Sequence, residues 1–437
     1  MNQKYLQNYC HSYYKNTRQS EFIKRITVCL VLVGIVMEWG AAVFLAQSTG
    51  QVPDNRFIAP MSKPLLYYIL HSIGVIAVIT GGILAGLSGA YMRLSKPMRV
   101  AFWLLQITSI TWAFFAYNLD DFMSFRAFGA TGSFVWIGCV LIFAGMDRSI
   151  WNWLDPTIRI LSYVTALFAL FAMIAVNFNV YERWESHLVQ YMVLLMWFGG
   201  WTLLTCGNKY GLRLYLSLFP FLVFILISIV TRTRSWFLMS ILIYFALFLV
   251  DKRIKHRDRI IKPKYIILYI FIMLFLIASF FFREALSNLF AGLWERRFVD
   301  SRTGQYVEFF SQVSIKDLIL GRGPKGIWHW GGRNYQFFDN AYLWMLFIGG
   351  LPILVSYFFL IIWPGIKSFL KGARENDAVA SVLIILWGLT CIGFGTYADP
   401  SLSSYCYILY LMAGRCLGYL AETRQTADGG IKIHTTV

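Results

Sequence analysis

Apolar runs of about 20 residues recur from one end of the chain to the other, and no other feature restricts the fold as strongly. A helix of that length crosses the ~30 Å hydrocarbon core of a bilayer. Backbone groups in lipid must be satisfied by hydrogen bonds within the protein, which leaves helices or closed barrels. Barrel strands alternate apolar and polar residues, and YIILYIFIMLFLIASFFF (265–282) does not alternate. Only 14% of the 437 residues are charged, against ~25% in an average soluble domain. The chain therefore reads as an all-α polytopic membrane protein, a single integral membrane domain over 1–437.

Twelve spans fit the pattern: 26–46, 65–90, 100–118, 128–146, 160–180, 188–206, 212–230, 235–250, 265–282, 338–363, 379–397 and 403–420. The first run begins near Ile26 after a polar, basic leader and is long enough to be a retained anchor rather than a cleaved signal. An even number of spans puts both termini on one side. Lysine and arginine identify that side as the cytoplasm. The leader carries Lys4, Lys15, Arg18, Lys24 and Arg25, loop 91–99 carries Arg93, Lys96 and Arg99, and loop 251–264 carries seven basic residues. The net charge of +17 is thus explained by orientation, without a nucleic-acid partner. The seven cysteines show no CxxC or Cys/His ligand spacing and none falls in a predicted outer loop, so neither a disulfide framework nor structural zinc is expected.

Two places run against the orientation rule. One is the turn TRTRS (231–235), with Arg232 and Arg234 between apolar spans. The other is a long outer loop, 283–337, bearing Arg283, Arg296, Arg297, Arg302, Lys316, Arg322, Lys325 and Arg333. Loops this long usually carry function. Arginine is the common partner of phosphate through bidentate, permanently charged contacts, although interfacial anchoring is an alternative use. Trp294, Trp328, Trp330, Tyr335, Phe337 and Phe338 crowd the same region. Such residues form interfacial belts, and their flat faces also stack on sugar rings. Arginines and glycines interleaved with aromatics fit a glycan–phosphate ligand better than a belt alone.

Gly321, Gly323 and Gly326 match GxGxxG. A dinucleotide fingerprint needs a preceding strand and a following helix within a βαβ unit, and GRGPKG lacks the GK[ST] of a Walker loop. The glycines are better read as letting the backbone turn and approach a ligand closely. GILAG (82–86) has GxxxG spacing and predicts close helix packing. Acid–base candidates on the outer face are Asp300, Glu308, His329 and Asp339. Asp339 stands out because it sits where the loop re-enters the membrane, and partial desolvation there raises a carboxylate's basicity. Asp120–Asp121 and Asp54 are weaker acidic signals on outer loops. Glu38 lies within the first span, where a charge is costly; it reads as functional or as paired with a neighbour.

Three pieces of the chain resemble the Wzy-type O-antigen or capsule polymerases, within a superfamily shared with O-antigen ligases. One is an arginine-bearing turn opening a span, TRTRSWFLMSILIYFALFLV (231–250). The second is a late outer loop with an arginine near its start and Gly-x-Gly near its middle, RFVDSRTGQYVEFF (297–310) and LILGRGPKG (318–326). The third is DNAYLWMLFIGG (339–350), an asparagine leading into a span with a glycine pair. The likeness covers roughly 230–363 in detail. Ligases of the superfamily have a His-Asn pair where this chain has Asp339–Asn340, which favours the polymerase.

The resemblance implies a GT-C-type glycosyltransferase of the bacterial cytoplasmic (inner) membrane. It would join oligosaccharide repeat units carried on undecaprenyl diphosphate at the periplasmic face, without metal or other cofactor. A flippase and a chain-length regulator would be its partners. Arg232, Arg234, Arg302, Arg322 and Arg333 would hold the diphosphate. Asp339, then His329, would take the acceptor proton, with Arg302 at the reacting centre. Trp328, Trp330, Tyr335 and Asn340 would bind glycan. An O-antigen ligase or other GT-C enzyme, and a lipid-linked oligosaccharide flippase, remain as alternatives.

Overall fold

A computed structural model describes residues 3–48, 65–116, 137–175, 188–205, 212–230, 234–251, 301–323, 326–335, 340–393 and 403–429. The predicted span 265–282, basic loop 251–264 beyond Asp251, Asp54, Asp120, Asp121, Arg232, Trp294, Asp300, Phe337, Phe338 and Asp339 lie outside these residues. Helices α1 (Gln3–Ser48), α2 (Leu65–Leu87), α3 (Lys96–Ala116), α4 (Leu141–Gly145) and α5 (Arg148–Ala175) come first. Then come α6 (Leu188–Leu194), α7 (Gly200–Leu204), α8 (Leu212–Val230) and α9 (Arg234–Asp251). The late loop contributes α10 (Ser301–Gln312), α11 (Ile315–Leu320) and the strands β1 (Trp328–Trp330) and β2 (Arg333–Tyr335). The chain continues with α12 (Ala341–Tyr357), α13 (Trp363–Leu370), α14 (Glu375–Gly393) and α15 (Ser403–Gly429).

The protein is an all-α membrane protein. Among the described residues, five helical segments are long and apolar enough to cross a bilayer: Glu21–Phe44, Leu65–Leu87, Arg148–Ala175, Ala341–Leu370 and Glu375–Ile392. Large apolar side chains such as Leu65, Ile76, Phe114 and Phe171 point outward, as expected when the surrounding solvent is hydrocarbon. Several helices outrun the predicted spans. The first begins at Gln3 rather than near residue 26, the fifth at Arg148 rather than 160, and the last continues to Gly429. Hydropathy marks only the lipid-buried part of a helix, and the hydrogen-bond ladder continues into water wherever polar residues permit it. The predicted span 338–363 is also broken internally, at Gly350.

Small residues set the tightest helix contacts. The pairs Gly34–Val78, Glu38–Gly74 and Val31–Gly81 make α1 and α2 antiparallel. The GILAG glycines face the segment leading into α4: a Cβ at Gly82 would stand 2.8 Å from the Val140 backbone, and one at Gly86 would stand 3.0 Å from the Phe143 ring. The GxxxG spacing therefore serves helix packing. On its other side α4 meets α15, where Gly145 abuts the Leu411 carbonyl and Gly414 the Ile142 carbonyl. Deeper in the core, Trp151 stacks on Trp201 at 4.9 Å between centroids, and Trp201 donates Nε1–H to Asp155 at 2.6 Å.

One face of the molecule gathers the segments assigned to the basic side. Arg148 bridges Asp377 (3.3 Å) and Glu422 (2.7 Å), Arg415 meets Asp377 at 2.6 Å, and Arg93 meets Glu422 at 3.6 Å. Loops 91–99, 147–159 and 364–378 and the C-terminal helix thus share a face. The late loop stands at the opposite end, where α3 finishes and α12 begins. Since α8 and α9 are joined by only three residues, they run as a hairpin.

Candidate functional site

The late loop is held by a break in α12. Pro352 has no backbone N–H, so the Ile348 carbonyl, four residues earlier, loses its normal helical donor. Gly350 adopts φ 72°, ψ −174° and opens the ladder further. The loop backbone fills the gap: Arg322 N–H donates to Phe347 O at 2.7 Å and Gly323 N–H to Ile348 O at 2.8 Å. Such an approach leaves no room for side chains. A Cβ at Gly321 would stand 2.5 Å from Ile348 O and 2.7 Å from Gly350 N, and one at Gly323 would stand 2.7 Å from the Trp112 ring of α3. The Gly-x-Gly pattern is therefore a backbone-to-backbone joint with a broken helix. Its close partner is Gly349–Gly350.

Arg322 completes the joint. Its guanidinium donates to Asp317 at 3.0 Å, to Ile327 O at 3.2 Å and to the Gln312 carbonyl, and it lies 5.5 Å from the Phe347 ring centroid. Asp317 also forms a capping box with Ser314 at the start of α11. The Arg322 hydrogen bond, followed by that of the Ser314 hydroxyl, stabilises the charged carboxylate and holds Asp317 at a pKa of about 2. Through these contacts to loop and helix, Arg322 positions the loop.

Beyond the joint, β1 and β2 form an antiparallel hairpin with Trp328 opposite Tyr335, His329 opposite Asn334 and Trp330 opposite Arg333. Gly331 and Gly332, both at positive φ, supply the two-residue turn. Gln312, at the end of α10, clasps the hairpin by accepting from His329 N–H at 2.8 Å and donating to His329 O at 2.9 Å. The backbone of His329 is fixed while the residue stays exposed. Trp330 lies over Gly304, one α10 turn from the helix start, where a Cβ would meet its ring at 2.7 Å. Trp328, two residues earlier and on the same strand face, packs deeper against α10. It is 1% exposed and packs edge-on against Phe309 at 5.5 Å. A buried ring offers no face to a sugar, so its expected glycan contact is corrected to a core anchor for the hairpin.

Asn340 caps α12: its side-chain oxygen accepts from Tyr342 N–H (3.0 Å) and Leu343 N–H (3.2 Å), and its amide faces Tyr306 OH at 3.5 Å. Tyr306 lies four residues after Arg302, so both positions share a face of α10. The structure thus brings α10 with Arg302, the hairpin with His329, Trp330, Arg333 and Tyr335, and the Asn340 cap into one assembly. Arg234 opens α9. Exposed Glu308 accepts from Gln312 at 3.1 Å. Among the described residues, no group of three or more His, Cys, Asp or Glu is placed to hold a metal.

Several contributors were not singled out from the sequence. Tyr306, Gln312 and Trp112 carry no local signature of their partners. Ser314-x-x-Asp317 has the spacing of a capping box and was legible. Within the membrane, Glu38 is fully buried and meets His71 Nδ1 at 3.0 Å, with His71 stacked on Tyr67 at 5.5 Å between centroids. This is the pairing expected of a carboxylate in a span. No protein-family model, curated protein or solved structure matches the chain.

Proposed function

We propose that this protein polymerises undecaprenyl-diphosphate-linked oligosaccharide repeat units into O-antigen or a related surface polysaccharide, as a twelve-span GT-C-type glycosyltransferase with both termini in the cytoplasm. The observation that carries this reading is the late loop itself. Exposed His329 stands on a hairpin beside Trp330 and Arg333, and Gln312 pins that hairpin to the helix bearing Arg302. Positions bearing basic, aromatic and acid–base residues are thereby brought together on one loop.

The chemistry asks for little else. An acceptor hydroxyl attacks the anomeric carbon of the growing chain, the bond from that carbon to the diphosphate oxygen breaks, and undecaprenyl diphosphate leaves. The departing oxygen gains negative charge, which cationic donors stabilise. Arg302 and Arg333, with Arg232 and Arg234 from the turn at the start of α9, take that role. Asp339 or His329 accepts the hydroxyl proton. Trp330 and Tyr335 offer ring faces to sugar. Arg322, Trp328 and Asn340 act one step back, by holding the loop on the broken helix.

The test is a surface-polysaccharide gel from cells deleted for the gene and complemented with wild type, Arg302→Ala or His329→Ala, with protein levels measured. The proposal expects loss of the ladder, leaving lipid core with a single repeat unit, and restoration by wild type but not by Arg302→Ala. Bare core with polymer accumulating on the carrier lipid would identify a ligase instead. Bare core without outer-face polymer would identify a flippase and sink the catalytic reading of the loop.

A further inference from the structure

On the opposite, basic face, α3, α13 and α15 enclose a cavity of about 70 Å³. A single water needs only ~10–15 Å³ on this measure, so the cavity has room for a group of several heavy atoms. Four cationic side chains line it: Arg93 before α3, Lys367 and Lys371 at the end of α13, and Arg424 from α15. Ser95 adds a hydroxyl, and no carboxylate lines it. Arg93 is held in place by Met146 O at 3.4 Å and by Glu422 at 3.6 Å. Glu422 is shared with Arg148, at 2.7 Å, and is one carboxylate beside four cations.

A lysine near a helix C-terminus complements the helix dipole, which accounts for Lys367 alone. It does not account for the convergence of three segments on one hollow. Four cations lining one hollow with no carboxylate among the lining residues would favour an anion between them. We propose that this cavity binds the phosphate group of an anionic phospholipid. The apolar surroundings favour lipid as the source of that phosphate. Met98 and Leu417 form part of the wall, and Leu87 (80% exposed), Met92 (67%) and Leu370 (74%) project outward at the adjoining helix ends, where acyl chains would lie. Basic pockets between helices at the cytoplasmic side are suited to anionic headgroups. The inference is independent of the polymerase reading, since it concerns the other face.

The test uses the full-length protein purified in a neutral detergent. Phosphatidylglycerol, phosphatidylcholine and sodium phosphate are titrated separately, and bound lipid is counted by native mass spectrometry alongside thermal unfolding. Wild type should retain phosphatidylglycerol over phosphatidylcholine and unfold at a higher temperature with it. Lys367→Ala/Lys371→Ala should weaken that binding by roughly thirtyfold, at ~1 kcal/mol for each basic residue near the headgroup. The Lys367→Arg/Lys371→Arg protein should keep it. Arg424→Ala, at an exposed position, gives a second reading if the double alanine protein folds poorly. Equal phosphatidylglycerol retention by wild type and both alanine proteins would overturn the proposal. Stabilisation by sodium phosphate equal to that by phosphatidylglycerol, with the same dependence on Lys367 and Lys371, would overturn the lipid source.

Discussion

Replacing Gly321 by alanine attacks the joint between the late loop and α12 at its narrowest point. The residue sits at φ 84°, ψ 158°, a conformation open essentially to glycine, and forcing a side chain there costs about 1–3 kcal/mol. The new Cβ would also stand 2.5 Å from Ile348 O and 2.8 Å from Gly349 C, which are backbone atoms with no rotamer to yield. Relief requires the loop to back away, and that breaks the bonds from Arg322 N–H to Phe347 O and from Gly323 N–H to Ile348 O, each worth about 1 kcal/mol. The sum is roughly 3–5 kcal/mol, and it falls on loop docking rather than on the packed helices. At 1.4 kcal/mol per factor of ten, docking weakens by at least about a hundredfold. Amide hydrogen exchange at Arg322 and Gly323 in the purified protein measures this directly, with protease cleavage in 301–335 as a second readout. Gly331→Ala is the control: it also has positive φ, but a Cβ there meets nothing within 4 Å. Unchanged protection at Arg322 and Gly323 in Gly321→Ala would refute the claim that Gly-x-Gly exists to dock on the broken helix.

Acid should loosen the same loop. Asp317 titrates near 2 when folded, below its ordinary value of 3.8, so its contribution is fully present above about pH 4 and fades as pH falls toward 2; exchange at Arg322 should rise over that window, and Asp317→Asn should flatten the rise. Asn340→Ala removes the cap of α12 and should lower stability by about 1 kcal/mol in thermal unfolding, while Asn340→Asp retains most of it. In the membrane, His71→Ala strands the fully buried Glu38 and should destabilise by roughly 3 kcal/mol, with His71→Ala/Glu38→Gln recovering much of the loss. A double variant no more stable than His71→Ala would show that the pair does not operate as a unit.

Hydropathy alone identified a helical membrane protein, because a run such as 265–282 or 65–87 has to satisfy its backbone and cover its surface locally. The GILAG glycines were legible for the same reason: small residues four apart line one helix face whatever packs there. Charge also carried information about sidedness, since Arg93, Arg148 and Lys371 lie in segments the structure gathers on one face. The roles of Arg322, Trp328 and Gly321 were not legible. Each was read as a contact for an external ligand, and each is used internally. Their composition matched a glycan–phosphate site, yet composition does not say whether a guanidinium meets a phosphate or the chain's own Asp317. That choice depends on Pro352 and Gly350, distant in sequence, which free two carbonyls at the depth where the loop arrives. Sequence by itself determined that the long apolar runs are helical, because that follows from neighbours along the chain. Only tertiary structure decided that Arg322 and Trp328 hold the loop, because hydrogen-bond partners and burial are set by whatever folds against a residue from elsewhere.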